Sequence, residues 1–295
     1  MILAPPSSSA IRSVGFRDPA LADRFAIDGF LCVPFLGAAA VDELRRLWDE
    51  VGRDDLTGIY SNVHDLDVEA NRRVDRIITG AFSGPAQALF QGARLGGSSF
   101  LVKGVGPDSA STPHQDWNNV DEHQAISLSI WCPLVDVDAH NGALVVVPGS
   151  HRLRPSIRSL DTPSLYLDFD PDLDQHLVEV PARAGDAVIY AHNLFHGSKP
   201  NRSDRIRVSA VSGVLPADAP SIHHRAVPGA PAGTFEVLEV ERDFYFGGIA
   251  AMKDGVLPPT ARPTGTVLVP DHELRPDEVV AAAVEWARTT NAGPT

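Results

Sequence analysis

Gln124-Ala125-Ile126-Ser127-Leu128-Ser129-Ile130-Trp131-Cys132 alternates small or polar residues with apolar ones. Successive side chains on a strand point to opposite faces, so this stretch reads as a half-buried strand. Downstream, Asn141-Gly142 is a hairpin-turn signal. It leads into Ala143-Leu144-Val145-Val146-Val147, which Pro148-Gly149-Ser150 closes. Gly185-Asp186 opens a further apolar run, Ala187 to Ala191, and Val208 to Leu215 reads as another strand. Upstream, Ser98 to Gly104 has the same texture. Residues from about 98 to 215 are therefore a succession of strands separated by Gly, Pro and Asn turns.

Helical material flanks this core. Val41, Leu44, Leu47, Trp48 and Val51 recur at helical spacing, which gives one greasy face that packs Trp48 on the sheet. In Phe25 to Pro34, Gly29 and the apolar run after it read as a turn into a short strand that precedes that helix. Residues 56–97 mix polar, Gly and short apolar runs, with helices expected near Arg72 to Thr79 and Pro85 to Phe90. Near the end, Pro276 in a first turn with Asp277 and Glu278 predicts a helix to about Thr289. The first fifteen residues are Pro/Ser-rich and read as loose. The expected architecture is mainly β with flanking helices, a sandwich or jelly roll (the cupin-like double-stranded β-helix), in one domain over residues 1–295.

The chain has 295 residues and a formal net charge of −13. Such a surface repels phosphate backbones, which argues against a nucleic-acid partner. Local basic clusters remain, Arg152-Arg154-Arg158 and Arg202-Arg205-Arg207. The two cysteines, Cys32 and Cys132, lie in apolar surroundings and read as buried free thiols rather than a disulfide or thiolate metal site. No run of eighteen apolar residues and no secretion signal is present, so no membrane span is expected and a cytoplasmic enzyme is the natural reading.

Chemistry concentrates in two stretches. In Pro113-His114-Gln115-Asp116-Trp117, a strand would put the imidazole of His114 and the carboxylate of Asp116 side by side. That is two-thirds of a 2-His-1-carboxylate facial triad, which leaves coordination positions open on a metal. Alone the pattern is weak, because a chain with eleven histidines produces it readily by chance. The second stretch runs from Leu194 to Arg207. A polar turn near Asn201 and Arg202 would fold it into a hairpin with His196 and Arg207 facing each other. His196 completes the triad, and the fork of Arg207 suits a carboxylate.

Taken together these pieces resemble the phytanoyl-CoA dioxygenase family of iron(II)/2-oxoglutarate oxygenases. The matching segments run in the family's order: Asp28-Gly29-Phe30 with its helix, His114-Gln115-Asp116, Asn141-Gly142-Ala143-Leu144, Pro148-Gly149-Ser150-His151, Gly185-Asp186, and His196-Gly197-Ser198 with Arg207 eleven residues on. The resemblance covers roughly residues 20–215. It implies that His114, Asp116 and His196 ligate iron, and that Arg207 binds the distal carboxylate of 2-oxoglutarate with Ser198 assisting. Trp131 and Lys103 match positions that line the co-substrate pocket. It also implies a dioxygenase that uses O₂ to hydroxylate a C–H bond of a small molecule, with 2-oxoglutarate decarboxylated to succinate.

His192, four before His196, reads as a packed or supporting residue, because its surroundings are strand and no HExxH is present. His151 is expected to bond locally, His223 and His224 to be solvated, and His64 to contact substrate at most. Further substrate contacts are expected from Tyr60-Ser61-Asn62, Trp117-Asn118 and Phe244-Tyr245-Phe246. Three rivals stand beside the hydroxylase. Halogenation would need the position that Asp116 fills. A cupin-type zinc or manganese enzyme without 2-oxoglutarate would have no need of Arg207. A catalytically silent binding protein would have no need of an intact triad.

Overall fold

The computed structural model describes residues 12–290, except residues 54, 65, 161, 163–164, 170 and 270–272. Two antiparallel sheets form its centre. The larger has six strands in the spatial order Phe30–Pro34, Asp186–Ala191, Leu128–Pro133, Arg207–Pro216, Ala93–Lys103, Ile59–Ser61. The smaller has four, in the order Val178–Val180, Leu144–Val146, His196–Ser198, Ser111–His114. In sequence the chain keeps crossing between them, from 128–133 to 144–146, from 178–180 to 186–191, then to 196–198 and back to 207–216. This is the winding of a double-stranded β-helix, as expected.

Leu128–Pro133 is buried on both faces rather than half-buried. The cause is a layer of helices, Ala38–Val51 and Val68–Leu89, whose Leu44, Leu47, Trp48, Val74, Ile78 and Phe82 join Ile130 and Val188 in one core. Trp48 meets Phe100 edge-on at 5.5 Å, so it packs on the sheet as expected. Two separate helices were expected within 68–90, but one 22-residue helix runs through Pro85. Its buried positions Val74, Ile78, Phe82 and Ala86 recur every four residues across the proline. That unbroken apolar stripe outweighs the one backbone bond that Pro85 cannot make.

Other expectations are corrected by position. Residues 12–13 and 15–16 form short strands, against Ala125–Ile126 and Phe90–Gln91, rather than a loose arm. The rest of that expected arm, residues 1–11, lies outside the described residues. Cys32 is exposed, because Phe30–Pro34 is the outer strand of the large sheet; Cys132 is buried, and both are free thiols. Asn141-Gly142 does not close a hairpin. It sits in the crossing between the sheets, where Gly142 has φ +80°. An added Cβ there would come within 2.6 Å of Lys103 Cδ, so glycine is required on both counts.

Beyond the two sheets, Ile222–Ala226, Thr234–Val240 and Ala261–Leu268 form a third antiparallel sheet. The last helix, Pro276–Thr290, buries Val279 and Ala283 against Val145, Val147 and Phe195 of the small sheet's outer side. Trp286 Nε1 donates to Asp28 Oδ1 at 2.8 Å and ties that helix to the N-terminal one. Among the described residues no helix is long and apolar enough to cross a membrane.

Candidate active site

His114 and His196 stand directly opposite each other across two strands of the small sheet. Their rings lie 4.9 Å apart. Asp116 falls just past the end of the His114 strand, so it is not on a strand as expected. Its backbone N–H donates instead to His192 O at 3.0 Å, and this turns the carboxylate inward. One ligand atom from each of His114, Asp116 and His196 lies within 4.8 Å of the other two. His196 Nε2 is 3.7 Å from Asp116 Oδ1.

The backbone fixes how the imidazoles present themselves. His114 Nδ1 faces Thr112 O at 2.8 Å, and His196 Nδ1 faces Leu194 O at 3.1 Å. A carbonyl only accepts, so each Nδ1 carries the proton and each Nε2 keeps a free lone pair. Burial pulls the His196 pKa down to about 4, so its ring is neutral at physiological pH. For Asp116, burial pushes upward, but the positive charge that His196, His192 and His114 carry when protonated, with that of Arg158, outweighs it and holds the carboxyl below its usual range. Two imidazoles and one carboxylate converge, a donor set suited to a divalent transition metal with positions left open.

A buried clamp holds this loop. Arg158 is 3% exposed, and its guanidinium is paired through two nitrogens with the buried Glu122 carboxylate. Its Nε donates to Asp116 O at 2.6 Å. Asn118 joins the same structure: its N–H donates to Arg158 O, its Oδ1 accepts from Arg158 N, and its Nδ2 donates to Ser156 O. Asn118 therefore shapes the loop rather than reaching a ligand. Arg158 is likewise no surface anion site.

Arg207 is not where a hairpin would place it. His196–Ser198 belongs to the small sheet, whereas Arg207 starts a strand of the large one, opposite Lys103. The chain between them crosses the sandwich. Arg207 is nonetheless 2% exposed, with its guanidinium 4.8 Å over the Trp131 ring and Nη1 donating to Gly142 O at 2.6 Å. Arg207 Nε and Trp131 Nε1 are both buried with no acceptor. Burial lowers the Arg207 pKa to about 9. Lys103 is fully buried beside it, with its ammonium bonded to Ser109 O and to Lys199 O. Burial, then the Arg207 charge, lowers Lys103 to about 7. Ser198 is buried two residues from His196, hence on the same face of its strand. A buried guanidinium and two orphaned donors, with Lys103 beside them, therefore call for an anion that the described residues do not supply.

Tyr190 joins the triad to this cationic end, and sequence reasoning missed it. Its ring is 4.3 Å from that of His196. Burial raises its phenol well above the usual value, and the negative charge of Asp116 pushes the same way. The available signal was a lone phenol inside the apolar run Ala187 to Ala191. Tyr166, stacked on His114 at 5.4 Å, had no such signal.

A cavity of about 410 Å³ opens on His114 and Asp116. Trp117, Tyr245 and Phe246 line it as expected, whereas Tyr60, Ser61 and Asn62 do not. His192 lines it too, with Nδ1 accepting from Asn119 Nδ2 at 3.2 Å and 2.7 Å from Ser127 Oγ. His64 is exposed outside it. His223 and His224 are buried in the strand Ile222–Ala226 rather than solvated, because the third sheet covers them. His151 reaches 125 residues back, its Nε2 3.2 Å from Ala26 O, over a Gly29 that leaves room for the ring.

Residues 28–209 match the family model described as phytanoyl-CoA dioxygenase (PhyH). Phytanoyl-CoA dioxygenase domain-containing protein 1 of Danio rerio is 30% identical over 118 residues, 37% of this chain and 40% of the relative. The Mus musculus protein of the same name is 33% identical over 104 residues, 32% of this chain and 36% of the relative. The chain thus spans about two-fifths of the length of the curated relatives it matches. Among solved structures, EvdO2 from Micromonospora carbonacea var. aurantiaca superposes with a TM-score of 0.52 at 19% identity, over 70% of this chain and 94% of that one.

Proposed function

The chain belongs to the phytanoyl-CoA dioxygenase family, and from that membership we propose that it is a non-haem iron(II) oxygenase that uses 2-oxoglutarate and O₂ to hydroxylate a small molecule. The carrying observation is the pairing of a His114–Asp116–His196 donor set with an anion-seeking pocket at Arg207 and Trp131 across the sandwich. His114 and His196 would give iron their Nε2 lone pairs, and Asp116 a carboxylate oxygen. Arg207 would pair its open Nε edge with the distal carboxylate of 2-oxoglutarate, with Trp131 Nε1 and Ser198 as further donors. Lys103 would add positive charge from one strand over.

Bound iron(II), with 2-oxoglutarate and O₂ as co-substrates, would supply the oxidising power, and the keto acid would leave as succinate and CO₂. The chain's own part is placement. Backbone carbonyls hold the imidazole tautomers, Arg158 holds the Asp116 loop, and the closed end at Tyr190 and Trp131 keeps water from the co-substrate. Asp116 fills the position that a halide would require, which favours oxygen insertion. Arg242, Tyr245 and Phe246 line the same cavity as His114 and Asp116, which supports one working domain that includes the C-terminal third.

The test is an anaerobic titration of the full chain with iron(II) and then 2-oxoglutarate. The expected result is the weak visible charge-transfer absorption of a metal-bound keto acid, followed by succinate formation on admitting air. Metal binding with no response to 2-oxoglutarate would instead support the cupin-type metalloenzyme, and no metal binding at all would sink both.

A further inference from the structure

The cavity wall beside the triad carries a ring that the metal donor set does not use. His192 lines the cavity and is buried. Its backbone is fully committed. The N–H donates to Ser127 O at 3.1 Å, and the carbonyl accepts from Asp116 N at 3.0 Å. The His192 main chain therefore holds the turn at Asp116, and any residue type would provide that bond. Placement of the carboxylate does not explain why the side chain is an imidazole.

Three other side chains orient that imidazole. The Tyr245 hydroxyl donates to Asn119 Oδ1 at 2.9 Å. Burial pushes the Tyr245 phenol upward, so it keeps its proton and remains a donor. With its oxygen taken, the Asn119 amide turns Nδ2 to His192 Nδ1 at 3.2 Å. An amide nitrogen only donates, so Nδ1 is the unprotonated nitrogen and Nε2 carries the hydrogen. The Ser127 hydroxyl, 2.7 Å from Nδ1, donates to the same lone pair. This tautomer is opposite to that of His114 and His196, whose Nδ1 atoms face carbonyls.

The Nε2–H fixed in this way meets no acceptor among the described residues, and it keeps access to the cavity. The Asp116 carboxylate approaches His196 Nε2 at 3.7 Å, and His192 stands outside the converging donor set. A donor held in a recess and given no protein partner is unfavourable unless an occupant of the recess accepts from it. The surroundings are otherwise suited to an apolar body. Trp117, Tyr245 and Phe246 give the cavity aromatic surface. Beside the ring the wall is bare backbone, since a Cβ built on Gly213 would lie 3.9 Å from His192 Cε1. One oriented donor on a largely aromatic wall is the pattern of a site that fixes a ligand by a single polar atom.

We propose that His192 anchors the substrate, its Nε2–H donating to a carbonyl, ether or hydroxyl oxygen, so that the site takes an oxygenated ring compound in preference to a plain hydrocarbon. The oxygenase reading enters only in calling the occupant a substrate. Asn119 and Tyr245 are positioning residues, acting through the tautomer of His192. A site that offers its polar group to a substrate oxygen discriminates against the analogue lacking that oxygen, because the buried donor is then left unpaired.

The test is nitrogen-15 NMR of the histidine rings in the full chain, zinc- and 2-oxoglutarate-loaded and also metal-free, with 1-tetralone and tetralin as probes. These bicycles match in shape and differ in one carbonyl. The His192 signals are those lost in His192→Gln. They should show the Nε2–H tautomer in both samples, and the Nε2 proton should move with 1-tetralone and not with tetralin. The ketone should bind about tenfold more tightly, as one hydrogen bond to a desolvated donor provides. His192→Phe should lose that preference, and His192→Gln, whose amide nitrogen falls near Nε2, should recover part of it. An Nδ1–H tautomer in wild type, no binding of 1-tetralone, equal binding of the two probes, or an unchanged preference in His192→Phe overturns the proposal. Titration of 2-oxoglutarate into the same protein reads the oxygenase assignment separately: its failure to bind, with the tautomer and the ketone preference intact, sinks that assignment and leaves the role of His192 standing.

Discussion

Replacing Arg207 with Met separates what this residue does to the protein from what it does for a ligand. The guanidinium is 2% exposed, has one backbone acceptor, and leaves Nε buried without a partner. Exchanging a buried charge for an apolar side chain of similar volume is often neutral or stabilising by about 1–4 kcal/mol. Arg207→Met should therefore melt at or above the wild-type temperature when no 2-oxoglutarate is present. With manganese in the site and 2-oxoglutarate at a hundred times its Kd, wild type should gain about 2.7 kcal/mol. At roughly 2–4 °C per kcal/mol for a chain of this size, that is a shift of about 5–10 °C. Removing one member of a desolvated charge pair costs about 2–5 kcal/mol, a rise in Kd of about 30-fold or more. At the same 2-oxoglutarate concentration the variant should then gain about 0.9 kcal/mol or less, a shift of no more than about 2–3.5 °C. Arg207→Lys should recover only part, because an ammonium lacks the planar fork. Scanning fluorimetry over a 2-oxoglutarate series decides it. A wild-type ligand shift in Arg207→Met, or a large loss of stability without ligand, would refute the assignment of this guanidinium to an absent anion.

Three further outcomes are expected. His114→Ala, Asp116→Ala and His196→Ala should each abolish turnover and weaken manganese binding while the far-ultraviolet dichroism stays that of wild type; near-normal turnover in any one removes that residue from the site. Arg158→Ala strands Glu122 in the interior and should cost about 3–5 kcal/mol in urea unfolding; Arg158→Lys, keeping the charge but not the bond to Asp116 O, should weaken metal affinity more than stability. Burial lowers the His224 pKa to about 4, chiefly by desolvation and then by His223; its stabilising contribution is present above pH 6.5 and is lost as pH falls toward 4, by about 3 kcal/mol at most. His224→Phe should flatten that part of the stability profile, and an unchanged slope would place the titration elsewhere.

Most strands of residues 98–215 were legible because their apolar runs end at a Gly, Pro or Asn, although Val178–Val180 went unread; the triad was legible because His-x-Asp and His196 carry chemistry that packing does not need. What the sequence misplaced is how those pieces face one another. Arg207 was put across a hairpin from His196 on the strength of the polar turn at Asn201 and Arg202. That turn exists, but it carries the chain from the small sheet to the large one. A spacing of eleven residues fits either path, since stacked sheets lie about 10 Å apart and long side chains from both can meet between them. The same ambiguity misread Asn141-Gly142: the left-handed glycine signalled a tight turn, whereas its purpose is a carbonyl brought within 2.6 Å of Arg207 Nη1, past the stem of Lys103. Periodicity reports which side of an element is buried, not which element lies opposite. Tyr190 escaped notice for that reason, and Arg158 was placed only in a local basic cluster. Each looks ordinary along the chain, as a phenol in an apolar run or an arginine among others. Their roles come from neighbours 74 and 36 positions away, namely Asp116 and Glu122.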